Sequence, residues 1–380
     1  MKKQNLFKTL LLSGLVILSS CSKDNDPDPV GCTVETPASY TYLVDGETTV
    51  SYSGQTARLD MAAEMMSALS DANTTAAALN AMFDHQAGSE DFSDGLLNAS
   101  SKQIKSKTAV APENTLSSSE QMNIQMKFSA WFEDYAINVA PAIANATMAT
   151  SGVAGMVGNR ELNAKGMEYD QIVAKSLIGA LCLDQVVSAY LSDTKIGESV
   201  DNTTRDPNED NNATAMEHHW DEGYGYVYGK FGPDNINGDL EGDGLLGKYL
   251  NKFDDHKVTV FNAFKLGRQA ISENCTEEKD RQAQIIKETL SKVVALKAAS
   301  YLRESADYDD LSADYFHALS EGYGFILSLQ FTHDANEMPY FSHSEVEGML
   351  TDLEAGNGFW DRTDAELDAM AEIIETAAGL

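Results

Sequence analysis

A nine-residue pattern occurs twice in this chain, and its glycines constrain the fold more than any other feature. His218-His219-Trp220-Asp221-Glu222-Gly223-Tyr224-Gly225-Tyr226 and His317-Ala318-Leu319-Ser320-Glu321-Gly322-Tyr323-Gly324-Phe325 both read H-x-x-x-E-G-Y-G-aromatic. On a helix the His and Glu, four residues apart, share one face. Each helical glycine costs roughly 0.5–1 kcal/mol relative to alanine, so four of them imply a compensating role. Either they admit a neighbouring helix or a ligand close to the backbone, or they bend the helix and aim His and Glu inward.

The likeness extends upstream. Residues 172–191, ending Ala189-Tyr190-Leu191, precede the first copy, and residues 285–302, ending Ser300-Tyr301-Leu302, precede the second. The spacing to the histidine is longer in the first copy by the polar, loop-like segment 201–212. The pattern therefore predicts an internally duplicated architecture, with halves at about 56–250 and 251–380. Apolar residues recur at helical spacing over 57–70, 74–87, 118–149, 167–192, 213–229, 255–273, 278–304, 310–330, 343–354 and 363–378. Extended segments flank a turn at Gly46 and predict a small hairpin; no sustained strand alternation follows residue 55. The expectation is an all-α domain over 40–380, behind a flexible, Asp/Pro-rich tether at 21–39.

The formal charge is −32, from 27 Lys and Arg against 59 Asp and Glu, which disfavours nucleic acid and favours cations or basic partners. Lys2, Lys3 and Lys8 precede an apolar run at 10–18, a secretory signal over 1–20 that is too short to span a membrane. Its end, Leu18-Ser19-Ser20-Cys21, resembles a bacterial lipobox, which implies a lipidated Cys21. Ser22-Lys23-Asp24-Asn25-Asp26 resembles the acidic signal that sends Bacteroidota lipoproteins to the outer leaflet. The expected location is the outer membrane, lipid-anchored and displayed on the cell surface, with a periplasm-facing anchor as the alternative. Of the other cysteines, Cys182 lies in an apolar run and reads as a buried thiol, while Cys32 and Cys275 are available for a disulfide.

The richest chemistry lies at Glu217-His218-His219-Trp220-Asp221-Glu222. His218, His219 and Glu222 offer nitrogen and oxygen ligands to a cation such as iron or another divalent or trivalent metal, with His317 and Glu321 converging on them by pseudo-symmetry. The sequence alone favours the other reading, that each His bonds its Glu inside a buried helix junction. The oxygen-rich loop 234–244 lacks the terminal acid of a calcium-binding EF-hand, Leu246 standing in its place, and reads as a solvated turn. HExxH, GxSxG, P-loop and GxGxxG signatures are absent from the sequence.

The His-His-Trp-Asp-Glu core resembles a family of Bacteroidota lipoproteins defined by a domain of unknown function. More distantly, His219-Trp220-Asp221-Glu222 is similar to the H-x-x-E of imelysin-like proteins, with Glu217 where their motif has glycine. That resemblance implies a double helical bundle and a role in iron or nutrient uptake beside an outer-membrane importer. The leading expectation is a non-catalytic envelope lipoprotein that binds a metal or metal-bearing ligand. The alternatives are a metal-dependent peptidase or hydrolase, and an acidic interaction module with structural His–Glu pairs.

Overall fold

The helical periodicity of the sequence is realised almost element by element. The computed structural model describes residues 32–208, 210–232, 234–309 and 311–380. Its longer helices are Ser53–Ala68, Ser118–Asp134, Tyr169–Tyr190, Ala215–Tyr228, Asp254–Ser272, Thr276–Asp307, Ala313–Ser328, His343–Glu354 and Asp364–Ala378. Several begin with reciprocal capping boxes: Ser117 with Glu120, Thr214 with Glu217, Ser342 with Glu345 and Thr363 with Glu366. In each, the cap hydroxyl accepts a backbone N–H of the first turn while the Glu accepts the cap's own N–H. The fold is all-α, with two short two-stranded ribbons among the described residues.

The first ribbon pairs Leu43–Val44 with Glu47–Thr48 around Asp45 and Gly46, both at positive φ. That conformation matches the twist of a tight hairpin, and Asp-Gly favours it. The second, Gly155–Val157 with Arg160–Leu162, departs from the expectation of no strands after residue 55. Three residues per strand are too few to show a period of two. The signal segment 1–20, Cys21 and the tether as far as residue 31 lie outside the described residues. Residues 32–37 have no regular secondary structure, and the chain is held from Ala38 onward, where the carbonyl accepts Lys265 Nζ at 3.3 Å.

At the centre lies Tyr169–Tyr190. It is apolar and long enough to cross a membrane, yet the whole apolar window is buried inside the domain, as for a core helix of a globular protein. It widens to π-helical geometry over Ile178–Leu183 and Val186–Tyr190. Gly179 is one cause: its N–H donates to Ser328 Oγ at 3.0 Å, and a side chain there would overlap Ser328. Cys182 is buried and free, with burial pushing its thiol pKa up; Cys32 and Cys275 are each disulfide-bonded. The core helix packs against Ala313–Ser328 along its N-terminal part and against Ala215–Tyr228 at its C-terminal end. The segments on either side of residue 250 therefore interleave around one helix, within a contact unit of Val34–Leu380.

The same helix carries Asp184, fully buried, whose carboxylate accepts Ala111 N and Asn114 Nδ2, both at 2.9 Å. Burial outweighs these neutral donors and raises its pKa from 3.8 to about 7. Because the folded pKa lies above the unfolded one, the protonated form favours folding. The contribution is complete below the unfolded value and is lost as pH rises toward 7. Asp184→Asn should remove that loss, so the unfolding free energy of the variant relative to the native chain should climb between pH 4 and pH 8. Parallel denaturation curves across that range would contradict the assignment.

Candidate functional site

The two motif copies form the same clamp. Glu222 Oε1 accepts Gln55 Nε2 at 3.0 Å, and the same amide lies 3.3 Å from Tyr190 Oη. In the second copy Glu321 Oε1 accepts Lys175 Nζ at 2.8 Å and Tyr249 Oη at 2.9 Å. The glycines are where these partners enter. A methyl on Gly223 would lie 3.4 Å from Tyr190 Cβ, and one on Gly322 would lie 3.4 Å from Tyr301 Cβ. A methyl on Gly225 would lie 2.5 Å from Tyr52 Cβ and 3.0 Å from Gln55 Cβ, and one on Gly324 would lie 2.5 Å from Lys175 Cβ. Thus the first glycine of each motif lies in ordinary contact with the tyrosine, and the second makes room for the helix whose amide or amine binds the adjacent glutamate. The last aromatic rests on the same tyrosine, Tyr226 against Tyr190 at 5.9 Å and Phe325 against Tyr301 at 5.8 Å between centroids.

The histidines complete the correspondence. His218 Nε2 lies 3.8 Å from Glu222 Oε2, and His317 Nε2 lies 3.7 Å from Glu321 Oε2. His317 Nδ1 is also 2.6 Å from Glu168 Oε2, at the N-terminus of the core helix. Ser320 Oγ accepts the Glu168 N–H at 2.9 Å, so the second motif also fixes that terminus. Glu321 is mostly buried. Burial alone would raise its pKa, but Lys175 and His317 hold it below the usual range.

The convergence of His218, His219, Glu222, His317 and Glu321 expected from the sequence does not occur. The core helix contributes Tyr190 to the first clamp and Lys175 to the second, fifteen residues apart, or about 20 Å at 1.5 Å per residue. One ion cannot bridge that span. His219 also leaves the set: its Nδ1 is 2.8 Å from the Lys195 carbonyl and its Nε2 3.3 Å from Lys195 Nζ. The first contact requires an N–H and the second a lone pair, which fixes a neutral tautomer with no nitrogen left to coordinate. Burial accordingly lowers its pKa. Among the described residues no group of three or more His, Cys, Asp or Glu is placed to hold a metal.

The remaining acids of the first motif hold the chain together. Arg268 is wholly buried and binds Glu217 Oε1 at 2.9 Å, Asp221 Oδ1 at 3.1 Å, Ser272 Oγ at 2.8 Å and Thr49 Oγ1 at 3.0 Å. Tyr40 Oη donates to Asp221 at 2.5 Å, and its ring stacks on Tyr224 at 3.8 Å. Arg205 grips Glu217 from the other side through both Nη atoms. Burial raises the Asp221 pKa against the pull of Arg268. Glu217, although burial opposes it, is held well below normal by Arg205 and Arg268. Trp220 Nε1 donates to the Phe264 carbonyl at 3.0 Å, and its ring fills the space left by the missing side chain of Gly267.

Loop 234–244 is also structural rather than simply solvated. Asn235 is buried and bonds the backbone of Tyr228 and Asp239, while burial raises the Asp243 pKa to about 6. A cleft of 460 Å³ beside the second clamp, lined by Trp131, Asp134, Asn163, Lys165, Tyr323 and Glu354, was not anticipated from the sequence. Nor were Gln55, Lys175, Tyr249 and Arg268. The available signal was Lys175, a lone charge inside the apolar run 172–178, since a charge so placed needs a partner.

Arg268→Met should lower the unfolding free energy by about 3–5 kcal/mol, because it leaves the buried Asp221 without a cation and takes one of two guanidinium partners from Glu217. Denaturant titration checks this, and a loss under 1 kcal/mol would contradict the role assigned to the cluster. No curated protein and no solved structure matches the chain. The family model described as domain of unknown function DUF4856 matches residues 37–380, and the chain belongs to that family.

Proposed function

We propose that this chain is a cell-envelope lipoprotein whose helical domain binds its ligand without transforming it, and whose His–Glu pairs are helix clamps. The observation that carries this reading is the occupancy of both motif glutamates. Each receives an amide or ammonium from a helix that the second motif glycine admits, and Glu321 accepts the Tyr249 hydroxyl as well. Groups so engaged are poor candidates for a general base or a metal ligand, because recruiting them would unmake buried interhelical bonds.

Lipidation at Cys21, display on the outer face of the outer membrane, an imelysin-like double bundle and service to an importer belong to the same proposal. Their support is the Leu18-Ser19-Ser20-Cys21 ending, the acidic residues after it and the repeated motif. A tether leaves a domain free to reorient while lipidation keeps it at the membrane. A metal-bearing ligand held jointly by the two motifs is not part of this reading, because the clamps stand too far apart to share one.

The test is bound-metal analysis with thermal melting of the full chain in Fe, Zn or Ca, for the native protein and for His218→Ala combined with His317→Ala. The expected result is no metal-specific rise in Tm and a lower Tm in the double variant. A metal at a hundredfold excess over its Kd would stabilise the fold by about 2.7 kcal/mol. Such a rise, abolished in the double variant, would overturn the structural assignment.

A further inference from the structure

Although acids outnumber bases by 59 to 27 in this chain, four cations gather beside the first clamp with no carboxylate partner of their own. Arg58 spends its guanidinium on neutral carbonyls, Gln103 O at 2.9 Å and Gly54 O at 3.1 Å. Lys102 and Arg58 flank Gly54: a methyl there would be 3.4 Å from Lys102 Nζ and 3.5 Å from Arg58 Nη1. The two charges are therefore within about 7 Å of each other, where like charges repel appreciably. Lys107 Nζ stands 5.5 Å from the centroid of the Tyr190 ring, the tyrosine whose hydroxyl accepts the Gln55 amide of the clamp at 3.3 Å. Lys195 lies against His219. None of the four forms an ion pair among the described residues.

The second clamp provides an internal comparison. There Lys175 pairs with Glu321 at 2.8 Å and Lys297 with Glu304 at 4.0 Å, while Lys248, 5.7 Å from the centroid of the Tyr249 ring, forms no ion pair among the described residues. At the first clamp Glu222 is the nearby acid, already engaged by Gln55. Four fixed positive charges against one carboxylate destabilise the folded chain through mutual repulsion, and half-burial of Lys107 adds to the cost. Such an arrangement is the expected signature of a site that is neutralised by its ligand.

We infer that Arg58, Lys102, Lys107 and Lys195 form a binding site for a polyvalent oxyanion, a phosphate or polycarboxylate group, beside the first motif. Charge-assisted bonds of about 2.8 Å from Lys102 and Arg58 can reach one such group together. His218, on the same helix as Glu222, adds a further polar group beside it. The strongly acidic remainder of the surface repels anions at long range, so only a ligand with several charges, held at short range, overcomes it. This inference rests on reading the domain as a binding module and names the class of its ligand.

The experiment uses the full chain at low ionic strength, titrated with inorganic pyrophosphate and separately with tricarballylate, against sodium chloride at matched ionic strength. Calorimetry should show saturable binding of one or both anions and a rise in Tm that chloride does not reproduce; which anion binds separates the phosphate from the carboxylate source. Lys107→Met with Lys195→Met should weaken binding at least tenfold without lowering the Tm of the free protein, since it relieves repulsion. Lys102→Met alone should give a smaller loss. Lys105→Met, which removes a lysine paired with Asp84 at 2.7 Å, should leave affinity within twofold. Shifts no larger than those of chloride, or equal affinity in the double variant, would overturn the site. Phosphorus NMR separates the two readings: intact pyrophosphate agrees with a non-catalytic domain, whereas its hydrolysis would keep the site and overturn that reading.

Discussion

The architecture depends on a glutamate, half-buried at position 222 and buried at 321, that binds a neighbouring helix directly. The hydrogen bond requires that helix to approach more closely than a side chain would allow. Gly225, and again Gly324, provide the approach. Residues facing the missing side chains, Gln55 and Lys175, are the ones that bind the glutamate. Each interhelical bond contributes about 0.5–1.5 kcal/mol, enough to offset the propensity lost at the glycines. Deleting one donor costs more, because it leaves a buried acceptor unsatisfied.

The core helix Tyr169–Tyr190 takes part in both clamps, which explains why it is buried throughout. Near its C-terminus it supplies the tyrosine beside the first clamp, and in its N-terminal third, at Lys175, it supplies the cation of the second. The shared helix also sets their separation. The copies have diverged electrostatically: a neutral amide faces Glu222, whereas an ammonium faces Glu321. The second clamp pairs Lys175 and Lys297 with carboxylates, while the four cations beside the first have none.

Much of this was legible in the sequence. The helices followed the apolar period, the Asp-Gly hairpin followed its turn chemistry, and the alignment of Ala189-Tyr190-Leu191 with Ser300-Tyr301-Leu302 anticipated the two tyrosines that meet the first motif glycines. What failed was the step from local pattern to distance. A repeated motif reveals a repeated environment but not whether the copies face each other, and one long shared helix keeps them apart. His219 was misread for a related reason: its neighbour in space, Lys195, comes from a short helix, Asp193–Ile196, that leaves no periodic trace. The partners Gln55 and Arg268 were hidden because single polar residues in helices usually face solvent. The ribbon at Gly155–Val157 was too short to show alternation.

The central claim is that Glu321 and Lys175 form one unit of a clamp that its neutral counterpart, Glu222 with Gln55, also builds. The most direct measurement is a double-mutant cycle on unfolding free energy with Glu321→Gln, Lys175→Gln and the two combined. The account predicts a loss of about 3–5 kcal/mol for Glu321→Gln alone, as expected when a buried cation is left unpaired, and recovery of most of it when Lys175→Gln is added. Additive losses, or a loss under 1 kcal/mol for the single change, would contradict it.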